Sequence, residues 1–264
     1  MINLDLIKQI SRPSSTRIVL LVIDGLGGLP DPETGKTELE TARTPNLDKL
    51  AGKGICGLSD PVGPGITPGS APGHLALFGY DPVSCNIGRG ALEAVGVDFD
   101  LGPEDVATRG NFCTVDGAGL VADRRAGRIS TQNSAELCRL LDGQVINGVE
   151  VLVRPVKDHR FIAVFRGDGL SAEVGDSDPQ QIGVAPLTVN GSSPESGRIA
   201  SVANQFIARA KTALAGHHPA NMLLLRGFSK RPEYPSMSDI YRLKPAAIAG
   251  YPMYRGVAGA VGMD

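Results

Sequence analysis

Asp24 directly follows the aliphatic run Ile18-Val19-Leu20-Leu21-Val22-Ile23 and precedes Gly25-Leu26-Gly27-Gly28. At the carboxyl end of a buried strand, a carboxylate lies where open α/β sheets place their ligands. The glycines behind it let other groups approach closely, which suits a divalent cation. An aspartate that caps a turn carries the same local signature, so Asp24 alone is weak evidence. A dinucleotide fingerprint does not fit, because Gly25, Gly27 and Gly28 lack the G-x-G-x-x-G spacing. The second chemical feature is Ser70, within Thr67-Pro68-Gly69-Ser70-Ala71-Pro72-Gly73-His74. A hydroxyl at a helix N-terminus meets free backbone N–H groups and the positive end of the dipole, which favour phosphate or phosphoserine. Taken singly, Ser70 reads as an ordinary N-cap. Asp24 and Ser70 together carry more weight than either.

The elements that must position them can be read from periodicity. Six consecutive aliphatics, four of them β-branched, predict a strand over residues 17–24 buried on both faces, as in a parallel sheet. Thr44-Pro45-Asn46 opens a helix, with Leu47, Leu50 and Ala51 on one face and Gly52 or Gly54 as the stop. Residues 55–58 read as a short strand. Residues 61–73, dense in glycine and proline, deliver Ser70 to a helix ending near Phe78. From about Asp98 the texture changes to strands at 106–114, 149–156 and 161–165 with a helix at 134–141, an α+β pattern. Residues 176–194 form a loop, and 195–214 carry helical periodicity through Ile199, Val202, Phe206, Ile207 and Ala210. A buried strand at 222–225, a helix at 238–243, a strand at 246–249 and a helix at 253–261 complete the alternation expected of a doubly wound sheet.

With 264 residues the chain can bury a large core, and its net charge of −2 argues against a general nucleic-acid binder. No run is long and apolar enough to cross a bilayer, and the first residues resemble neither a secretory signal nor an anchor. Cys56, Cys85, Cys113 and Cys138 are scattered without a C-x-x-C spacing. Reduced thiols in a cytoplasmic protein are the expectation.

Val22-Ile23-Asp24-Gly25, Thr44-Pro45-Asn46 and Pro68-Gly69-Ser70-Ala71 resemble the alkaline phosphatase superfamily. Gly73-His74-Leu75-Ala76-Leu77-Phe78-Gly79-Tyr80-Asp81-Pro82 and Gly88-Arg89-Gly90-Ala91-Leu92-Glu93-Ala94 narrow the resemblance to the cofactor-independent phosphoglycerate mutases of archaeal type. Asp123-Arg124-Arg125-Ala126-Gly127-Arg128, Asp158-His159-Arg160-Phe161, Leu225-Arg226-Gly227 and Ile248-Ala249-Gly250-Tyr251-Pro252-Met253-Tyr254 extend it to the end of the chain. The resemblance implies an α/β fold: a doubly wound, alkaline-phosphatase-like domain (residues 1–97 and 191–264) interrupted by a smaller α+β substrate domain (98–190). It implies interconversion of 3-phosphoglycerate and 2-phosphoglycerate through a phosphoserine, with two divalent metals (manganese, or magnesium, cobalt or zinc). Carried over by position, Ser70 is nucleophile and metal ligand, and Asp24 is a metal ligand. A metal-bound hydroxyl loses its proton more readily, which agrees with that role.

The inserted domain offers substrate contacts. Arg124, Arg125 and Arg128 fall within five positions, and His159-Arg160 precedes a strand. Guanidinium forks match phosphate and carboxylate, and phosphoglycerate carries both. An isolated surface arginine is usually a solvated charge; clustering and the resemblance favour binding here. Arg226 follows a buried strand and joins the set. His159 suits either proton transfer or a structural hydrogen bond. His217 and His218 read as exposed.

The family draws most of its metal ligands from a C-terminal stretch rich in histidine and aspartate, and this sequence has no histidine beyond His218. The expectation is a chain lacking that part, binding metal weakly and turning over little. Two rivals follow: a metal-dependent phosphatase or phosphopentomutase-like enzyme, and a non-catalytic phosphoglycerate-binding fragment. In every case the expected partner is a small phosphorylated molecule, with no nucleic acid and no membrane.

Overall fold

The computed structural model describes residues 3–85 and 88–264. Within them the helices are α1 (Leu4–Ile10), α2 (Glu38–Thr41), α3 (Pro45–Ala51), α4 (Ser70–Leu77), α5 (Arg89–Gly96), α6 (Thr131–Leu141), α7 (Pro194–Leu214), α8 (Met237–Tyr241) and α9 (Pro252–Ala260). The strands are β1 (Val106–Val115), β2 (Val121–Asp123), β3 (Gln144–Ile146), β4 (Val149–Lys157), β5 (Arg160–Arg166) and β6 (Met222–Ser229). The architecture is mixed α/β. All strands join one sheet in the order β2-β1-β5-β4-β3, with β6 also on β1. Every strand pairing in it is antiparallel.

Strand alternation divides this sheet into two apolar faces. On one, Val106, Phe112, Phe161, Ala163 and Phe165 pack with Leu137 and Leu141 of α6 and with Ile199, Val202, Phe206 and Ala210 of α7. Phe112 and Phe161 lie 4.6 Å apart, and Phe165 meets Phe206 edge-on at 6.2 Å, so ring burial dominates this layer. The other face carries Ala107, Ile162 and Val164 against Ala91 and Ala94 of α5. Small residues on both sides bring the helix close. At Gly90 a Cβ would stand 2.2 Å from the Ala107 carbonyl oxygen, so only glycine allows this approach. The hydroxyl of Ser229 accepts the Ala91 N–H at 2.9 Å and ties the first turn of α5 to β6. A third cluster joins Leu75 of α4, Tyr80, Leu92, Ile240 and Val257 of α9.

The local expectations for α3, α4, α6, α7, α8 and α9 and for β1, β4, β5 and β6 agree with the structure. The parallel-strand expectations do not. Residues 17–24 form no strand, and Ile18 and Val19 are 78% and 91% exposed. Residues 55–58 and 246–249 are likewise not strands, with Ile55, Leu58 and Ile248 fully exposed. An apolar run becomes a buried strand only when neighbouring strands accept its N–H and C=O groups, and no described strand pairs with any of the three. Leu47 and Leu50 of α3 are exposed for the same want of a covering sheet. Both α7 and β6 pack with the strands of the middle segment.

Candidate functional site

Ser70 is the first residue of α4, with Gly69 as its N-cap. The first N–H groups of any helix lack intrahelical acceptors, so this end favours negative charge at the Ser70 oxygen. Its Oγ lies 3.5 Å from Oδ2 of Asp24, although the two residues are 46 positions apart. The hydroxyl of Tyr254, on α9, also donates to Asp24 Oδ2. The bond to Asp24, reinforced by burial, raises the Tyr254 pKa, so the phenol keeps its proton. His74, one turn beyond Ser70, holds the Ser70 carbonyl through Nδ1 at 2.7 Å and stacks on Tyr254 with ring centroids 4.7 Å apart.

A second group of side chains lies on the α5 face of the sheet. The antiparallel register sets Arg109 of β1 opposite Arg226 of β6, and Asn111 opposite Arg160 of β5. Glu93 of α5 is 3% exposed and pairs with Arg109 at 3.2 Å. Burial raises its pKa, against the charges of Arg109, Arg160, Arg89 and Arg226. Asp178 is 2% exposed and receives Arg124 through two hydrogen bonds, 3.0 and 2.7 Å, with Arg226 at 3.7 Å. Burial pushes the Asp178 carboxyl up, but Arg124, the Gln180 N–H and Arg226 outweigh it and leave it below its ordinary value. Gly227, at φ +66°, turns the chain beyond Arg226 in a conformation that favours glycine, against the Cβ of Arg89.

The two groups are joined through α9. Arg160 donates to the Tyr251 hydroxyl, Tyr251 packs on Tyr254 at 5.7 Å, and Tyr254 reaches Asp24. A continuous path of contacts therefore runs from the arginines to the Ser70–Asp24 pair.

The residues singled out from the sequence sort accordingly. Asp24 and Ser70 meet. Arg160 and Arg226 enter the arginine group. Arg124 enters it with its fork already engaged by Asp178. Arg125 and Arg128 are exposed and have no ion pair among the described residues. His159 is 5% exposed, and its Nδ1 has no hydrogen-bond partner among the described residues. Burial, with the nearby charges of Arg160, Arg109 and Arg125, lowers its pKa from 6.5 to about 4, so the ring is neutral. His217 and His218 are exposed. Arg89, Glu93, Arg109, Asp178, Tyr251 and Tyr254 were not singled out. The signal for Glu93 was present: an acid flanked by Leu92 and Ala94 on a short apolar helix.

Two oxygens 3.5 Å apart fit one edge of the shell around a divalent cation, whose metal–oxygen distances are roughly 2.0–2.2 Å. A hard cation takes about six ligands, and no group of three His, Cys, Asp or Glu that could hold a metal occurs among the described residues. The described residues therefore do not fit two divalent metals.

A sequence profile of the 2,3-bisphosphoglycerate-independent phosphoglycerate mutases matches residues 51–221. The chain belongs to this family. It is 47% identical to a probable 2,3-bisphosphoglycerate-independent phosphoglycerate mutase of Aquifex aeolicus, covering 99% of this chain and 66% of that one. A relative of the same description from Deinococcus radiodurans is 48% identical over 99% of this chain and 65% of its own length. The chain thus spans slightly less than two thirds of these relatives. Among solved structures, the cofactor-independent phosphoglycerate mutase of Thermoplasma acidophilum superposes with a TM-score of 0.63 at 34% identity, covering 92% of this chain and 67% of that one. A Pyrococcus horikoshii protein superposes with a TM-score of 0.73 at 30% identity, covering 91% and 58%.

Proposed function

We propose that the protein acts as a cofactor-independent phosphoglycerate mutase, an isomerase that moves a phosphoryl group between the 3- and 2-hydroxyls of glycerate through a phosphoserine at Ser70. The observation that carries this reading is the path of contacts from Ser70 and Asp24 through Tyr254 and Tyr251 to Arg160. It links a hydroxyl at a helix N-terminus to a group of guanidiniums, and a substrate with a phosphate at one end and a carboxylate at the other calls for both.

The roles follow from each side chain's surroundings. As Ser70 Oγ bonds to phosphorus, the bond from phosphorus to the glycerate oxygen breaks; Asp24 takes the Ser70 proton and passes it to that departing oxygen. The N-terminus of α4 stabilises the phosphoserine that forms. Tyr254, holding its own proton, keeps the Asp24 carboxylate oriented. Arg109, Arg160 and Arg226 bind the anionic ends of the substrate, while His159 offers a neutral nitrogen to a glycerate hydroxyl. Arg124, Arg125 and Arg128 belong to the same proposed substrate surface, with Arg124 acting as the brace that holds Asp178. Asp24 and Ser70 are two ligands of a divalent cation in this reading, and no step is derived through the ion.

The reading carries a place in glycolysis and gluconeogenesis and a cytoplasmic location. Four free cysteines accord with it, and no described helix is long and apolar enough to cross a membrane. It also carries a doubly wound phosphatase-like domain (1–97 and 191–264) around an inserted domain (98–190), with α7 and β6 docked on the inserted sheet. An enolase-coupled assay of 3-phosphoglycerate, run beside sugar phosphates, tests it. In the full-length protein, isomerisation that disappears in Ser70→Ala is the expected result, with little turnover from the 264-residue chain alone. Release of inorganic phosphate without isomerisation, or activity retained in Ser70→Ala, would contradict it.

A further inference from the structure

Burying a carboxylate is costly unless its oxygens are paired. Glu93 is buried on the inner face of α5, yet among the described residues only Oε1 has a partner, the Arg109 guanidinium at 3.2 Å, and Oε2 has none. Around it the Nε groups of Arg109, Arg160 and Arg226 are also buried without acceptors among the described residues. Five guanidiniums, of Arg89, Arg109, Arg124, Arg160 and Arg226, share this region with three carboxylates, of Glu93, Asp176 and Asp178. Positive charge exceeds negative charge, and several donors await an acceptor. Asp176 and Asp178 are tied to backbone N–H groups and to Arg124. Among the described residues Glu93 accepts no backbone N–H.

We propose that Glu93 is the counter-charge of the arginine group: it holds Arg109 in place and, by offsetting one guanidinium, sets how tightly the group retains an anion. This rests on the reading of the arginines as the phosphoglycerate site and adds a residue that acts through them. A group of uncompensated guanidiniums would grip its product as firmly as its substrate; Glu93 moderates that grip. The consequence has an unusual sign. Removing the charge while keeping the shape, as in Glu93→Gln, strengthens anion binding, whereas a residue that only supports packing would weaken it.

Calorimetry of the whole chain with inorganic phosphate and with 3-phosphoglycerate is the test. Glu93→Gln should bind inorganic phosphate roughly fivefold more tightly than the unaltered protein, and 3-phosphoglycerate by at least as much. Glu93→Asp, which keeps the charge, should stay within about twofold. Arg89→Gln is the mirror variant: Arg89 has no ion pair among the described residues, and in a protein whose circular dichroism matches the parent its loss should weaken phosphate binding roughly fivefold. Unchanged or weaker phosphate binding in a folded Glu93→Gln protein would overturn the proposal, as would unchanged binding in Arg89→Gln. If the phosphate results hold but 3-phosphoglycerate binds no better than phosphate, the substrate reading fails and the role of Glu93 stands.

Discussion

Lowering the pH from about 7.5 to about 5 should destabilise the protein through one buried imidazole. His159 is 5% exposed, its Nδ1 is unpartnered, and the charges of Arg160, Arg109 and Arg125 oppose its protonation. In the unfolded chain it titrates near 6.5; in the fold its pKa is pushed down to about 4. A neutral base with a depressed folded pKa contributes stability that is complete above 6.5 and is lost as pH falls toward 4. At about pH 5 the unfolded imidazole is almost wholly charged and the folded one almost wholly neutral. The resulting loss is roughly 2 kcal/mol, with a slope of at most about 1.4 kcal/mol per pH unit. In urea unfolding, that should lower the midpoint by on the order of 1 M. Carboxylates contribute to any acid effect, so the informative quantity is the difference between the parent and His159→Gln. The variant should lose roughly 2 kcal/mol less over the same interval. Equal pH dependence in both proteins, or an NMR titration that puts His159 near its ordinary value, would refute the reasoning.

Other consequences follow from the same contacts. Asp178→Asn leaves Arg124 and Arg226 without their buried partner and should cost about 3 kcal/mol in chemical unfolding; a loss under about 1 kcal/mol would show the pair to be well solvated. The Asp178 carboxyl, held below its ordinary 3.8, contributes stability that is complete above that value and is lost as pH falls below it, and the Asn variant should lack this acid limb. Gly90→Ala drives a methyl group to 2.2 Å from the Ala107 carbonyl and should destabilise by about 1–3 kcal/mol, read as a lowered thermal midpoint. Tyr254→Phe removes the phenol that orients Asp24 and should slow phosphoserine formation about tenfold while leaving phosphate affinity near the parent value.

Local features were legible from the sequence because local physics fixes them. The apolar stripe of α7 through Ile199, Val202, Phe206 and Ala210 forms the same face in the structure. Thr44-Pro45 and Ser70-Ala71-Pro72 mark helix starts that fall where expected. The run at residues 18–23 shows the limit: its composition describes a strand buried on both faces, but burial depends on partners elsewhere, and no described strand supplies them. For the site, Asp24 and Ser70 could be named because glycines and a helix start flag them. Arg109 could not, since it reads as a solvated charge until the register of β1 on β6 and the close approach of α5 set it against Glu93. The arginine triplet at 124, 125 and 128 looked like one cluster, yet its turn sends Arg124 to Asp178 and leaves Arg125 and Arg128 exposed.

The central claim is that an anion held by the arginines delivers its phosphorus to Ser70. Incubating the protein with 3-phosphoglycerate, quenching it in acid and mapping the phosphate by peptide mass spectrometry tests this most directly. The account predicts one phosphate on Ser70, absent in Ser70→Ala and diminished in Arg160→Met. Phosphate on another side chain, or phosphoserine formed at an undiminished rate without Arg160, would contradict it.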